Sequence, residues 1–301
     1  MTSPPIQWYP GHIAKAEKSL QEQLKRVDVV LEVRDARIPL STEHPQVKQW
    51  IGIKERVLVL NRMDMIPISA RQEWTGWFRD RGEEPLFTDA QHGKGIEAIT
   101  RAAQTAGEKM NQRRRDRGML PRPVRAVVMG FPNVGKSALI NRLLNRRVVA
   151  SSRRAGVTRQ LRWVRISDQI ELLDAPGVLP SKLTNQLAAI KLAICDDIGE
   201  ASYDNQRVAA ILIELLRPVQ AEAALQIRYN FPLEDLTGED YLHALAKFRY
   251  QDNVERTARQ LLNDFRVGQL GAIALEMPSQ NNDELRSLSV SMGVMANDEE
   301  F

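Results

Sequence analysis

Residues 130–137 read Gly-Phe-Pro-Asn-Val-Gly-Lys-Ser and fit the pattern G-x-x-x-x-G-K-[ST] of a phosphate-binding loop. An apolar run at 124–129 comes before them, and an amphipathic stretch at 136–144 follows. A strand, a loop and a helix in this order let backbone amides and the helix N-terminus surround an anion. A chance glycine-rich turn is the alternative, and the two flanking elements argue against it.

Two further motifs accompany this loop. Asp174-Ala175-Pro176-Gly177 follows the apolar run 170–173 and matches D-x-x-G, a pattern that by itself is also typical of a strand-ending turn. Asn61-Arg62-Met63-Asp64 is similar to the guanine-reading element N-K-x-D, yet it precedes the phosphate loop. In a Ras-like GTPase the guanine reader comes after that loop. The order therefore predicts an α/β protein with a circularly permuted Ras-like P-loop GTPase domain.

Each motif has an expected role in binding GTP and Mg²⁺. Lys136 should reach the β- and γ-phosphates, and the hydroxyl of Ser137 should ligate Mg²⁺. Asp174 should hold the metal through water, and the amide of Gly177 should sense the γ-phosphate. Thr158 lies in a polar loop and is chosen by position as the switch threonine that completes the Mg²⁺ shell.

The choice of base is expected to depend on the residues around position 61. A carboxylate at Asp64 can accept hydrogen bonds from guanine N1 and N2, whereas a polar turn is the alternative for this tetrapeptide. Arg62 replaces the usual lysine, and its planar guanidinium can pack over a base. Asp89-Ala90-Gln91 loosely matches the S-A-K loop that reads guanine O6 through its backbone. The predicted nucleotide-binding residues are Asn61, Arg62, Asp64, Asp89, Ala90, Asn133, Val134, Gly135, Lys136, Ser137, Ala138, Thr158 and Gly177.

Composition indicates an ordinary globular protein. The chain has 301 residues, of which 43% are hydrophobic and 27% charged. No apolar run approaches the roughly 18 residues that a membrane-spanning helix needs, and the first ten residues have no signal core. Cys195 is the single cysteine, so no intrachain disulfide can form. We therefore expect a cytoplasmic protein without a membrane contact.

The motifs and the hydrophobic periodicity predict a GTPase domain at 1–184 and a helical domain at 185–277, to which its arginines assign RNA binding. The Asn-, Ser- and acid-rich composition of 278–301 predicts a flexible tail. The first domain alternates apolar runs with helical patterns, which is typical of a parallel sheet covered by helices. Beyond Pro180 the pattern is helical. Helices are predicted at 12–26, 69–81, 95–110 and 136–144, and strands at 27–33, 56–60, 85–88, 124–129, 161–166 and 170–173. A basic, proline-flanked stretch at 109–123 is interpreted as the linker that the permutation requires.

Arginines cluster in three places, although the net charge is only +4 at a pI of about 9.2. A solvated surface is the usual explanation of such runs, but density beside a predicted switch favours contact with RNA phosphates. The linker, the predicted first switch and the last amphipathic helix, which also carries Arg266, supply the candidates. The predicted RNA-binding residues are Arg113, Arg114, Arg115, Arg146, Arg147, Arg153, Arg154, Arg256 and Arg259.

With these motifs in place, the chain resembles the YlqF/RbgA-type permuted GTPases, a family that acts in assembly of the large ribosomal subunit. The specific likeness is the opening W-Y-P-G-H-I-A-K-A at 8–16, followed by D-A-R-I-P at 35–39 and, more loosely, D-F-R-V-G-Q-L-G at 264–271. The resemblance implies a large-subunit precursor, with its rRNA and ribosomal proteins, as the partner.

The residue that orients the attacking water is not the usual one. Ras-like enzymes use a glutamine just after D-x-x-G, where this chain has Val178. The sequence alone favours the interpretation that His12 merely begins the first helix, whereas the resemblance implies that His12 replaces the glutamine. His12 and Lys136 are therefore the catalytic candidates. Asn133 occurs at this place in K⁺-activated GTPases and in others, so the expected cofactors are GTP or GDP, Mg²⁺ and, in one interpretation, K⁺.

The function that follows is a ribosome-stimulated GTPase that hydrolyses GTP to GDP and phosphate during late large-subunit assembly. It would bind rRNA in the GTP state and leave after hydrolysis, because switch ordering beyond Gly177 could reorient the helical domain. The alternative is a GTP-gated RNA-binding module whose hydrolysis is incidental. A small-subunit factor is disfavoured by the opening motif and by the lack of a zinc-binding Cys/His cluster. A monomer is expected.

Overall fold

The computed structural model describes residues 20–145, 162–166, 168, 170–174 and 185–278, with only the backbone of Arg162, Asp174 and Ala201. These residues form two compact units. The first contains 20–63 and 75–174, and the second contains 64–74 and 185–278. The segment 64–74 thus belongs to the helical unit, although the sequence on both sides of it belongs to the first. The predicted domain boundaries at 184 and 277 stay a prediction, and the predicted tail lies outside the described residues after position 278.

A six-stranded sheet organises the first unit. Its strand order is β3-β2-β1-β4-β6-β5, and every neighbouring pair is parallel except β5 with β6. The central strand β1 is buried at every position, as a parallel strand covered on both faces should be. The strands are β1 Val29–Asp35, β2 Glu55–Asn61, β3 Pro85–Thr88, β4 Val124–Met129, β5 Arg162–Arg165 and β6 Ile170–Asp174.

Helices connect these strands. They are α1 Val47–Ile51, α2 Ile68–Arg79, α3 Ile96–Arg115 and α4 Lys136–Leu143, and α2 begins in the second unit and ends in the first. Helix α3 packs closely on β4, because a Cβ atom at Gly107 would lie 2.5 Å from Val124 Cγ2. The helical turn 20–24 packs its Leu20 and Leu24 in one core cluster with Met129 of β4.

The second unit is helical. Its helices are α5 Gln186–Ile194, α6 Asn205–Leu216, α7 Ala223–Tyr229, α8 Gly238–Arg249 and α9 Val254–Arg266. Four of them begin at a side chain that accepts a hydrogen bond from a first-turn amide, which satisfies one of the amides a helix start leaves unpaired. These capping residues are Asn185, Asp204, Thr237 and Asn253.

Helix α9 has the predicted amphipathic face, since Ala258, Leu261, Leu262 and Phe265 are buried. Arg266 was predicted to lie on its outer, RNA-binding side. That prediction is wrong, because the Arg266 guanidinium donates to the carbonyls of Ala193 and Ile194 at 2.8 and 3.0 Å and so caps the end of α5. Carbonyls at a helix C-terminus favour a cation, which explains this inward position.

The chain after α9 holds the segment 64–74 within the second unit. We call residues 268–276 the return segment. The amide of Ile273 donates to Met65 O at 2.8 Å, and the Trp74 indole donates to Glu276 O at 3.1 Å. The Glu276 carboxylate also lies 3.3 Å from Lys191 Nζ of α5, and both side chains are buried. The return segment therefore joins α5 to residues far earlier in the chain.

Most predicted elements of the first unit are confirmed within two residues, whereas one predicted helix is longer than expected and one observed helix was not predicted. Helix α3 continues to Arg115 instead of ending at residue 110, so Arg113, Arg114 and Arg115 lie on a helix and not in a loose linker. Helix α1 was not predicted. The first predicted helix ends at residue 24 in the described part of the chain. Among the described helices, none combines the length and apolar character that a membrane crossing requires.

Candidate nucleotide site

The phosphate loop leaves β4 and enters α4, at the carboxyl end of the central parallel strands, where α/β sheets bind ligands. Two of its glycines have backbones that L side chains rarely adopt, with φ of 152° at Gly130 and 101° at Gly135. A Cβ atom at Gly130 would lie 2.1 Å from Val33 O, and one at Gly135 would lie 2.0 Å from Asn61 Nδ2. The loop can take this shape only with glycine at both positions.

Positive charge and backbone amides converge inside the loop. The Lys136 side chain is buried, and its ammonium donates to Phe131 O at 2.6 Å across the loop. Gly135 begins α4 without a side-chain cap, so the first-turn amides suit an anionic ligand. Ser137 and Ala138 follow in that first turn and are half-buried. This cradle fits a nucleotide phosphate.

Asn61 ends β2 and joins the phosphate loop to the predicted base-reading loop. Its side-chain amide donates to Val134 O at 2.7 Å, and its carbonyl oxygen accepts from Ala90 N at 3.0 Å. Only 3% of Asn61 is exposed, so both partners would be left unsatisfied in its absence. The structure thus brings together three segments that the sequence predicted to share one site.

Arg62 extends this connection. Its Nη2 donates to Asn133 O at 2.7 Å, and its Nε lies 3.3 Å from Asp35 Oδ2 at the end of β1. Asp35 also accepts two side-chain hydrogen bonds from Arg37, at 3.0 and 2.7 Å. Two of the Arg62 donors are therefore engaged within the protein. This fixes the plane of the guanidinium, which was predicted only to pack over the base.

The loop 89–91 is a turn that hydrogen bonds hold in place. The Asp89 carboxylate accepts from the backbone amide of His92 at 2.9 Å and lies 2.7 Å from its Nδ1. Arg142 of α4 donates to Ala90 O at 3.2 Å and also to Gln91 O. Because the Asp89 side chain is 2% exposed and used in the turn, what this loop offers a base is its backbone.

Sequence reasoning missed Arg142 in this site, and it quoted Asp35 and Arg37 for resemblance without giving them a role. Asp35 stands at the carboxyl end of β1, beside the ends of β2 and β4 in a parallel sheet. A buried run that ends in a carboxylate is a signal that could have marked it. Nothing local marks Arg142, because its acceptors lie more than 50 positions away.

The remaining nucleotide residues are placed only in part. Asp64 is exposed and lies in the 3-10 helix Met63–Met65, which directly follows Arg62. Asp174 ends β6, in register with Val128 of β4, which leads into the phosphate loop. The predicted residues His12, Thr158, Gly177 and Val178 lie outside the described residues, and so do Arg146, Arg147, Arg153 and Arg154.

The described RNA-binding candidates divide by exposure. Arg113 and Arg115 of α3 are exposed, whereas Arg114 is half-buried and donates to Leu120 O at 2.9 Å. Arg256 of α9 is exposed and lies 5.9 Å from the Tyr250 ring centroid. Arg259 is 66% exposed and pairs with Glu255 at 2.7 Å, the weak kind of ion pair that a surface supports.

Comparisons with known proteins agree with this geometry. A family model described as "50S ribosome-binding GTPase" matches residues 125–226. Ribosome biogenesis GTPase A of Bacillus cereus is 33% identical over 291 residues, which cover 94% of this chain and 97% of that protein. The protein of the same name from Priestia megaterium is also 33% identical, over 93% of this chain and 99% of its own length.

Solved structures show the same fold. The GNP-bound YlqF of Thermotoga maritima has a TM-score of 0.62 and 21% identity, and it covers 89% of this chain and 100% of its own. In the present chain the strand that ends in Asn61 precedes the strand that leads to the phosphate loop, which is the permuted order. With sequence identity over nearly the whole length, this GTPase with a circularly permuted domain belongs to the ribosome biogenesis GTPase A family.

Proposed function

We propose that this GTPase assists late assembly of the large ribosomal subunit, binding rRNA while GTP is bound and leaving after hydrolysis. The observation that carries the proposal is the formed site in which Asn61 joins the phosphate loop to the 89–91 loop. The names of relatives that match almost end to end support the ribosomal partner. Ribosomal proteins beside the rRNA would complete the docking surface.

In this proposal the phosphate loop and the loops around Asn61 and Ala90 hold the nucleotide. The amides of 133–138 and the Lys136 ammonium bind the phosphates, while Asn61 and the Ala90 backbone set the position of the base-reading loop. Asp64 accepts from guanine, which distinguishes GTP from ATP. Bound Mg²⁺, which neutralises phosphate charge, would be ligated by Ser137 and Thr158 and held through water by Asp174.

For hydrolysis we propose that His12 orients the attacking water, because the usual glutamine position holds Val178. Lys136 stabilises the charge that develops on the phosphates. Asn133 is the proposed K⁺ ligand. Arg62 donates to its backbone carbonyl, and its half-buried side chain belongs to the phosphate loop that would face the cation.

RNA contact is assigned to the arginines. Arg113, Arg115, Arg256 and Arg259 present their charge to solvent, and such contacts position a protein on RNA without reading sequence. Arg114 and the four arginines at 146, 147, 153 and 154 complete the proposed RNA contacts, which lie in three separate clusters along the chain. Binding to rRNA should weaken steeply with salt.

The experiment that tests the proposal is GTP turnover in KCl buffer with and without purified large ribosomal subunits. We expect subunits to stimulate turnover, and His12→Ala to abolish the stimulation while nucleotide binding stays intact. The exposed His243 of α8 supplies the matched control, since His243→Ala should leave stimulation unchanged. Replacing KCl by NaCl tests the K⁺ assignment, because a loss of turnover is expected only if the cation is used.

A second function has one observation in its favour. A valine at the glutamine position is what a GTP-gated RNA-binding module with incidental hydrolysis would tolerate. In that case subunits would bind in a GTP-dependent way without stimulating turnover. If large subunits neither stimulate turnover nor bind the protein, the ribosomal partner itself is contradicted.

We also propose that the protein acts as a cytoplasmic monomer, with residues 185–277 as its RNA-binding domain. Its lone cysteine, Cys195, is buried, which suits a reducing compartment. Sedimentation of the purified protein at micromolar concentration tests the monomer, and a dimer mass would contradict it.

A further inference from the structure

A buried carboxylate at the end of β1 is enclosed by two arginines. Asp35 is fully buried, and its Oδ1 accepts from the backbone amide and Nε of Arg37, at 2.9 and 3.0 Å. Its Oδ2 accepts from Arg37 Nη2 at 2.7 Å and lies 3.3 Å from Arg62 Nε. We call Asp35, Arg37 and Arg62 the arginine clamp.

The Arg62 guanidinium contacts two different acceptors at the same time. One edge, through Nε, faces Asp35, while Nη2 donates to the phosphate-loop carbonyl of Asn133 at 2.7 Å. A guanidinium holds these donors at fixed separation in one plane, whereas a lysine ammonium is a point charge on a flexible stem. The arginine that replaces the usual lysine of N-K-x-D is therefore matched to a carboxylate on the neighbouring strand.

Both residues joined by this hydrogen bond have strained backbones. Arg62 has φ of 66° and Asn133 has φ of 57°, in the left-handed region that costs non-glycine residues free energy. Such conformations persist only where surrounding contacts determine them. Asn133 lies in the middle of the phosphate loop, so whatever holds its carbonyl also holds the curvature of the loop.

The charge of the clamp suits an anion site. Burial raises the pKa of the Asp35 carboxyl, but the charges of Arg37 and Arg62 outweigh that effect and place the pKa below its ordinary value. Two guanidinium charges against one carboxylate leave the clamp with an excess of one positive charge. That charge reaches the phosphate loop through Arg62.

We propose that Asp35 is a positioning residue that holds, through Arg62, the phosphate loop in its nucleotide-binding shape before the nucleotide arrives. The proposal rests on the proposed nucleotide site at 130–137. It gives the D-A-R segment a role, because Arg37 pairs with Asp35 and Asp35 in turn lies beside Arg62. The clamp acts on the shape of the loop, so it should affect GDP and GTP alike.

The test is a double-mutant cycle of Asp35→Asn and Arg62→Lys, read out as the dissociation constants of fluorescent GDP and GTP analogues. Each single variant should weaken both nucleotides about tenfold, the size of one charge-assisted hydrogen bond. The double variant should bind no worse than the weaker single variant, since both remove the same connection. Amide hydrogen exchange of 131–135 in the nucleotide-free protein should become faster in each variant.

A matched control lies at the opposite end of the same strand. Arg122 donates to both oxygens of Asp28 at 2.8 and 2.9 Å, just before β1 begins. Asp28→Asn and Arg122→Lys remove a comparable carboxylate–arginine pair from the first unit. They should lower the melting temperature without changing nucleotide affinity or hydrogen exchange in the phosphate loop.

Several results would overturn the proposal. Wild-type affinity in Arg62→Lys would do so, and so would equal losses of affinity in the Asp28 and Asp35 variants, which would indicate general destabilisation. If Asp35→Asn does not fold, Arg62→Lys and Arg62→Gln decide the question, since the Arg62 side chain is 26% exposed. If the wild type binds neither nucleotide, the proposed site itself is wrong.

Discussion

A buried charge on β1 shows how a single residue makes the stability of this fold depend on pH under acidic conditions. Glu32 lies between Arg34 and Arg56, with an oxygen 2.6 Å from each guanidinium. Burial raises the pKa of the Glu32 carboxyl, but the two arginines outweigh it and the pKa lies below the ordinary 4.5. The ionised form therefore stabilises the fold above about pH 4.5, and this stabilisation is lost as the pH falls through the folded-state pKa.

We expect Glu32→Gln to lower the free energy of unfolding by about 3 kcal/mol at pH 7, the cost of breaking a buried ion pair. Glutamine resembles protonated glutamate, so the difference from wild type should shrink as the pH falls below 4.5. Urea unfolding between pH 3 and pH 7 measures both quantities. A difference that stays constant over this range would show that the Glu32 charge does not carry the effect.

Among the elements, α3 is the one whose packing on the sheet can be tested most directly. Alanine favours a helix over glycine by about 1 kcal/mol, so propensity alone predicts that Gly107→Ala stabilises the protein. A methyl group at this position would lie 2.5 Å from Val124 Cγ2 on β4, and a valine cannot move its methyl groups away easily. We therefore expect a net loss of roughly 1–3 kcal/mol from overpacking.

Gly76 of α2 is the matched control, since a Cβ atom there meets nothing within 4 Å. Gly76→Ala should stabilise by about 0.4–1 kcal/mol through the unfolded state alone. Thermal melts of the two variants and the wild type show whether each substitution raises or lowers the melting temperature. Stabilisation in both variants would mean that α3 is free to move off β4.

Elements with a local signal were predicted from the sequence, and those that depend on distant partners were not. The parallel strands contain apolar runs and the phosphate loop is a single motif, so both were found. Helix α1 has five residues, too few for a helical period to show. The end of α3 was missed because its arginines were interpreted as a charged linker, although arginine is a good helix former and its charge is favourable at a helix C-terminus.

The candidate site follows the same division. Asn61 and Lys136 belong to contiguous motifs, and the structure places them at the phosphate loop. The partners of Asp35 and Arg142 depend on strand order and on contacts between segments far apart in sequence. Which carboxylate meets which arginine is decided only once the sheet has formed, so spacing along the chain does not reveal it.

At the scale of the whole molecule, the second unit contains a buried ion pair between α5 and the return segment. Lys191 and Glu276 are 85 positions apart, and their side chains are 6% and 4% exposed. Lys191→Met leaves the Glu276 carboxylate buried without its cation, and we expect a loss of about 3–5 kcal/mol. Urea unfolding, followed by far-ultraviolet circular dichroism of the largely helical second unit, measures it.

The double variant Lys191→Met, Glu276→Leu is the control for this prediction. Replacing a buried ion pair by apolar side chains of similar volume is often neutral, so much of the lost stability should return. A double variant that is as unstable as Lys191→Met alone would show that packing around the return segment matters more than the pairing of charge.

Residues 64–74 are synthesised long before the rest of the second unit, to which they belong. Trp74 and its acceptor Glu276 are separated by 202 positions, so at about 5–20 residues per second roughly 10–40 s of translation pass between them. During that time the indole of Trp74, fully buried in the finished protein, has no return segment to cover it. The Trp74 indole therefore has its acceptor in the second unit only after residue 276 has been made.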